Sequence, residues 1–124
     1  MRCLPALFGL FALAGCSLTG DDYDDYLEDR ARLVAELDRR IGAAEADAPD
    51  ACHVVAVGAK ACGGPRDYRV YSSAADVEAV EAAAAAVTAL DEDANRRFDL
   101  VSDCMVVVPP RPALVGGRCV AATE

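Results

Sequence analysis

Tryptophan is absent from this 124-residue chain, histidine occurs once, and aromatic residues make up 6% of it. A core without tryptophan and short of other rings must be filled largely by aliphatic side chains and alanine, so it is thin for its length. The single histidine, His53, stands beside Cys52 at the start of an apolar stretch. No serine motif supplies a nucleophile with a base, so a catalytic triad has no visible parts. Cations are scarce too: 12 Lys and Arg stand against 21 Asp and Glu. That excludes nucleic acid, which needs clustered positive charge to displace counterions, and an anionic membrane surface repels such a body. The carboxylates gather on helical segments with no pair that can be set across a cleft. The expectation is a non-enzyme without catalytic residues, metal or cofactor.

An apolar run from Leu4 to Ala14 follows a short cationic start, Met1-Arg2, and ends in Leu13-Ala14-Gly15-Cys16. It falls short of the roughly 20 residues that a spanning helix needs. Small residues before the cysteine let a peptidase approach the backbone. The segment resembles the signal of bacterial lipoproteins. The resemblance implies that residues 1–15 are removed and that Cys16 becomes an acylated first residue. An ordinary secretory signal is the alternative, and the Ala-x-Ala-like sites it would use are poor here. Each buried methylene adds about 0.8 kcal/mol, so two or three acyl chains hold a protein where one is marginal. Membrane attachment then comes from lipid on Cys16 and not from electrostatics. Ser17, not Asp, follows the cysteine, and in the family an Asp there often marks inner-membrane retention. In a cell with two membranes, the periplasmic face of the outer one is favoured.

Removing residues 1–15 leaves 109 residues, with 11 basic and 21 acidic side chains and a formal charge of −10. One domain, 21–124, follows a short tether at 16–20, whose residues 17–20 reach at most about 14 Å when extended. Cys52, Cys62, Cys104 and Cys119 form an even set in an exported chain, and no Cys-x-x-Cys spacing points to metal. Two disulfides are expected, each contributing on the order of 3 kcal/mol.

Asp21, Asp22, Asp24 and Asp25 open a predicted helix over about 21–47, with Tyr23, Leu27, Arg30, Val34, Leu37, Ile41 and Ala44 as its stripe. Thr19 or Asp21 can cap it, and Arg39-Arg40 suit its C-terminal end. Arg30 interrupts the stripe, and its stem is expected to lie on apolar neighbours with the guanidinium in water rather than in a buried ion pair. The Asp-rich start lacks the spacing of a calcium loop and reads as a charged helix terminus. Residues 53–57 and 68–71 read as strands around a Gly/Pro loop. Ser73-Ala74-Ala75-Asp76 resembles a capping box opening a second helix over about 74–97, whose face is Val77, Val80, Ala84, Val87, Leu90 and Ala94. Met105–Val108 and Ala113–Val115, continuing toward Val120, read as two more strands joined by Pro109-Pro110-Arg111-Pro112, with a bulge or bend at Gly116-Gly117. The fold class is therefore α+β: two helices on a small, mostly antiparallel sheet, closed by two disulfides.

Four cysteines allow three connectivities. In a hairpin over 53–71, Cys52 lies at the open end and Cys62 in the turn, more than about 15 Å apart. Cys104 and Cys119 can join locally, but the strained first bridge tilts the choice toward Cys52–Cys119 with Cys62–Cys104.

Gly58 to Ser72, GAKACGGPRDYRVYS, and Ser102-Asp103-Cys104 resemble blocks of small secreted or lipid-anchored bacterial proteins. That resemblance implies no activity, ligand or site. Two functional classes follow: a lipid-anchored structural or binding module with an envelope protein as partner, and an inhibitor of a secreted hydrolase presenting Arg111 on the Pro109–Pro112 turn. Preorganised loops bind well because they lose little entropy.

Overall fold

The computed structural model describes residues 21–122; the signal at 1–15, the tether at 16–20 and Cys16 lie outside the described residues. The architecture is α+β, with two helices and two small antiparallel sheets. Helix α1 spans Asp21–Ile41 and helix α2 spans Val77–Arg97. Strands β1 (Cys52–Val57) and β2 (Asp67–Ser72) form one hairpin, and β3 (Pro112–Val115) and β4 (Arg118–Ala121) form another.

The first hairpin lies between the two other layers. Its pleat puts Val55, Val57 and Tyr71 on one face, where they pack with Leu37 of α1 and with Val80, Ala84 and Val87 of α2. Cys52 and Val70 occupy the opposite face, against Cys119 and Leu114 of the second hairpin. Ala84, within the run of alanines at 82–86, is buried in the helix interface, where a small side chain lets the neighbouring helix come close.

Helix α1 stops at Ile41, six residues before its expected end. Gly42, at φ +60°, donates its N–H to the Asp38 carbonyl at 3.0 Å and turns the chain out of the helix. The following residues are taken up by the second hairpin: the Ala44 carbonyl accepts from the Cys119 amide at 2.8 Å, and the Ala46 amide donates to the Gly117 carbonyl at 3.0 Å. Strand pairing therefore outcompetes further helix, even though the sequence favours helix there. The stripe is rotated as well. Tyr26, not Tyr23 or Leu27, is the buried residue in the first turns, and the inward positions run Tyr26, Arg30, Leu33, Leu37 and Ile41.

At the start of α2 the cap is Asp76, whose carboxylate accepts from the Ala79 amide at 3.0 Å. Ser73 is not the capping residue; the hydroxyl of Ser72 instead accepts from the Ala74 amide in the preceding turn. The helix thus begins three residues later than expected.

Residues 101–111 contain no strand, contrary to the expectation for Met105–Val108. Two prolines remove ladder donors from this stretch, and Cys104 is bonded to the loop at Cys62 rather than placed along a strand edge. Pro109–Pro112 is consequently not a hairpin turn. Pro112 starts β3, a position that tolerates proline, and the turn is made by Gly116-Gly117, both at positive φ. The expected single sheet is two separate hairpins.

Candidate functional site

Asp91 is the one acidic side chain among the described residues that is fully buried, at 0% exposure. It sits on α2 in the inward row Val80, Ala84, Val87, Asp91 and Ala94, at alternating spacings of four and three. A buried carboxylate must find donors to replace water, and here five donor atoms from four residues converge on it. The Tyr26 hydroxyl donates to Oδ1 at 2.9 Å, and Arg30 Nε to the same oxygen at 2.8 Å. Arg30 Nη2 reaches Oδ2 at 3.3 Å, the Ala59 amide donates to Oδ2 at 3.0 Å, and Arg66 Nε lies 3.4 Å from it.

The two arginines come from different elements, Arg30 from α1 and Arg66 from the loop entering β2. Their side chains keep 25% and 34% exposure, so each guanidinium bridges the buried carboxylate and solvent. This corrects the expectation for Arg30. Its stem lies in the helix interface, but its head group forms a partly buried ion pair with Asp91. Burial acts to lower the Arg30 pKa, but the hydrogen bond to Asp91 and that carboxylate's charge together outweigh it and raise the pKa above its ordinary value. Burial is the largest cause of the rise at Tyr26, followed by the hydrogen bond to Asp91, which the neutral phenol donates.

Around this carboxylate, α2 clamps the start of the β1–β2 loop. Thr88 accepts from the Gly58 amide at 3.1 Å, and Asn95 donates to the Ala59 carbonyl at 3.1 Å, a carbonyl shared with Arg66 Nε. Thr88, Asp91 and Asn95 recur at spacings of three and four, so one helix face holds two consecutive loop residues. Gly58 has φ +76°, and a Cβ there would fall 2.5 Å from Asp91 Oδ2. Only glycine lets the backbone approach the carboxylate so closely.

Every oxygen of Asp91 is engaged by chain donors, two of them cationic. Such a carboxylate exchanges its water for the chain's own donors. Its chemistry is that of a fastener between α1, α2 and the loop. Sequence reasoning placed Leu90 on the inward face and passed over Asp91. The available signal was the alternating spacing of four and three through Val80, Ala84, Val87, Asp91 and Ala94, which sets a carboxylate in an apolar row as Arg30 is set in that of α1.

The cysteines pair as Cys52–Cys119 and Cys62–Cys104, each with Cα atoms 5.3 Å apart. The first bridge is buried and joins the two hairpins, while the second is exposed and ties the β1–β2 loop to residues 101–108. Lys60 Nζ reinforces that tie, donating to Asp103 Oδ1 at 2.5 Å and to the Met105 carbonyl at 2.9 Å. The hydrogen bond from Lys60 is the largest cause holding the Asp103 carboxyl below its ordinary range. His53 lies exposed on β1 with its ring 5.7 Å from that of Tyr71. Arg111 is exposed, just before β3. An open groove of about 190 Å³ lies between Ile41, Ala43, Ala44, Glu45, Ser72, Ala74 and Ala75. Among the described residues, no three His, Cys, Asp or Glu side chains gather as metal ligands, and no helix is long and apolar enough to cross a membrane.

No protein-family model matches this chain, and no curated protein or solved structure shows significant similarity to it.

Proposed function

We propose that this chain is a lipid-anchored protein of the cell envelope, exported by residues 1–15, held by acyl chains on Cys16, and acting as a structural or binding module rather than as an enzyme. The observation that carries this reading is Leu13-Ala14-Gly15-Cys16 at the end of an apolar run, upstream of a domain closed by two disulfides. Bridges of this kind persist in oxidising compartments and are rare in the cytosol. The Asp91 cluster supports a non-catalytic role, because both oxygens of Asp91 already accept from the chain's own donors. An envelope protein is the expected partner.

Intact-mass measurement of protein from its native host tests the anchor. The expected mass begins at Cys16 and includes acyl groups, and Cys16→Ser loses both processing and acylation. A chain that keeps residues 1–15, or a processed chain without acyl mass, refutes it. The reading as a hydrolase inhibitor loses its motivating hairpin turn, since Arg111 precedes β3 in a stretch without a turn. Failure of the wild-type protein to slow a trypsin-like protease is the expected result.

A further inference from the structure

The four most exposed large apolar side chains among the described residues fall in one eight-residue stretch: Val101 at 94%, Val106 at 86%, and Met105 and Val108 at 76%. Scattered surface valines need no explanation, but a cluster of this kind marks an interaction surface. Its position in the fold is fixed by contacts. Cys104 is bonded to Cys62, Lys60 binds Asp103 and the Met105 carbonyl, and the Ser102 hydroxyl accepts from the Cys62 amide at 3.0 Å. Phe98, three residues before Val101, meets Tyr23 edge-on at 5.3 Å. These contacts place residues 101–105 at the end of the molecule where α1 begins, and Val106 follows directly. Asp21, the first residue of α1, is at this end too, while Cys52–Cys119 and the second hairpin lie at the other, the length of α1 away, about 30 Å for its 21 residues.

We propose that Val101, Met105 and Val106 seat on the lipid surface, so that the acyl anchor and this apolar stretch together set the orientation of the domain. The inference rests on acylation of Cys16. Residues 17–20 span at most about 14 Å, so the end of the domain that bears Asp21 is held against the bilayer, and the opposite end is not. The exposed apolar stretch is on the held end. Its occupant is a zwitterionic surface, because Asp22, Asp24 and Asp25 open α1 beside it and anionic headgroups would repel them. Two bonds keep the stretch presented: the Cys62–Cys104 bridge and the Lys60–Asp103 pair stop it from folding back onto the domain.

Because the chain has no tryptophan, a single indole reports its own surroundings. The mature acylated protein, carrying Val106→Trp or, as the distal control, Val115→Trp on β3, is placed in phosphatidylcholine vesicles containing brominated lipid. The Val106→Trp indole is expected to be blue-shifted and quenched about twofold or more beyond the control, as for a ring about 5–10 Å inside the headgroup boundary. Adding phosphatidylglycerol should reduce that difference. Equal quenching of the two indoles in protein that floats with the vesicles overturns the seating and leaves the anchor intact. A blue shift that instead grows with protein concentration in detergent assigns the stretch to a second copy of the chain and also overturns it. Protein that lacks acyl mass and fails to float overturns the anchor, and the seating with it.

Discussion

Replacing Asp91 by alanine removes the acceptor that joins three parts of the molecule. Tyr26, Arg30, Arg66 and the Ala59 amide all lose a partner at once. Removing one member of a buried ion pair costs about 3–5 kcal/mol, because the other charge is left without compensation. Both arginines retain a route to water, which lowers the penalty, whereas the Ala59 amide and the Tyr26 hydroxyl are buried and add about 1–3 kcal/mol for each donor that stays unsatisfied. The expected loss is about 4 kcal/mol, a large part of the 5–15 kcal/mol that domains of this size possess. With a urea dependence of about 1–2 kcal/mol per molar, the unfolding midpoint falls by about 2 M or more. Circular dichroism of oxidised protein in urea measures it. Asp91→Asn keeps the volume and loses the charge, and should fall between wild type and Asp91→Ala. Arg32→Ala, which removes an exposed pair with Asp29, should change stability by less than about 1 kcal/mol. A midpoint for Asp91→Ala within the Arg32→Ala range would refute the assignment of Asp91 as the fastener.

Gly58→Ala should destabilise by about 2–4 kcal/mol, since it combines a left-handed backbone with a Cβ 2.5 Å from Asp91 Oδ2; its thermal midpoint, if unchanged, removes the close approach as a constraint. Sequence separations of 67 and 42 residues give the two bridges about 4 kcal/mol each on chain-entropy grounds. The exposed Cys62–Cys104 bridge should open first under a mild thiol reductant, and alkylation followed by peptide mapping that finds Cys52 and Cys119 labelled earlier would contradict the assigned burial. In alkali, burial and Asp91 raise the Tyr26 pKa above its ordinary value of 10.0. The neutral phenol is then favoured by folding, so its contribution is complete below pH 10 and is lost as pH rises through the raised value. Absorbance near 295 nm should show Tyr26→Phe removing a late-titrating phenol, and loss of an early one instead would count against this hydrogen bond.

Spacing alone located both helices, because apolar residues at intervals of three and four can be buried only on one side of a helix. The strands around the Gly58–Pro65 loop were legible from β-branched and aromatic residues bounded by turn formers. The disulfide pairing could be weighed as well, since a hairpin separates Cys52 from Cys62 by its own length. Local signals did not reveal where α1 stops. Residues 43–47 suit a helix, and it is the distant Cys119 and Gly117 backbone that takes them into pairing. Nor could composition tell that Met105–Val108, β-prone as they are, would have no neighbouring strand. A strand exists only where another chain segment offers its ladder, and here Cys104 is drawn to Cys62 instead.

Asp91 marks the same boundary. Its place in the row Val80, Ala84, Val87, Asp91, Ala94 is written in the sequence, as is Arg30 in the row of α1. Whether two charges on separate helices meet depends on how those helices are aligned and rotated against each other, and that is a property of the packed core. The sequence by itself determined periodicity, helix composition, the even cysteine count and the apolar run ending at Cys16. Tertiary structure decided which strands pair, where α1 yields to them, and that one carboxylate is buried among two arginines and a tyrosine. The physical reason is that helical periodicity is set by neighbours along the chain, while burial and pairing are set by residues 60 or more positions apart that only the folded core brings together.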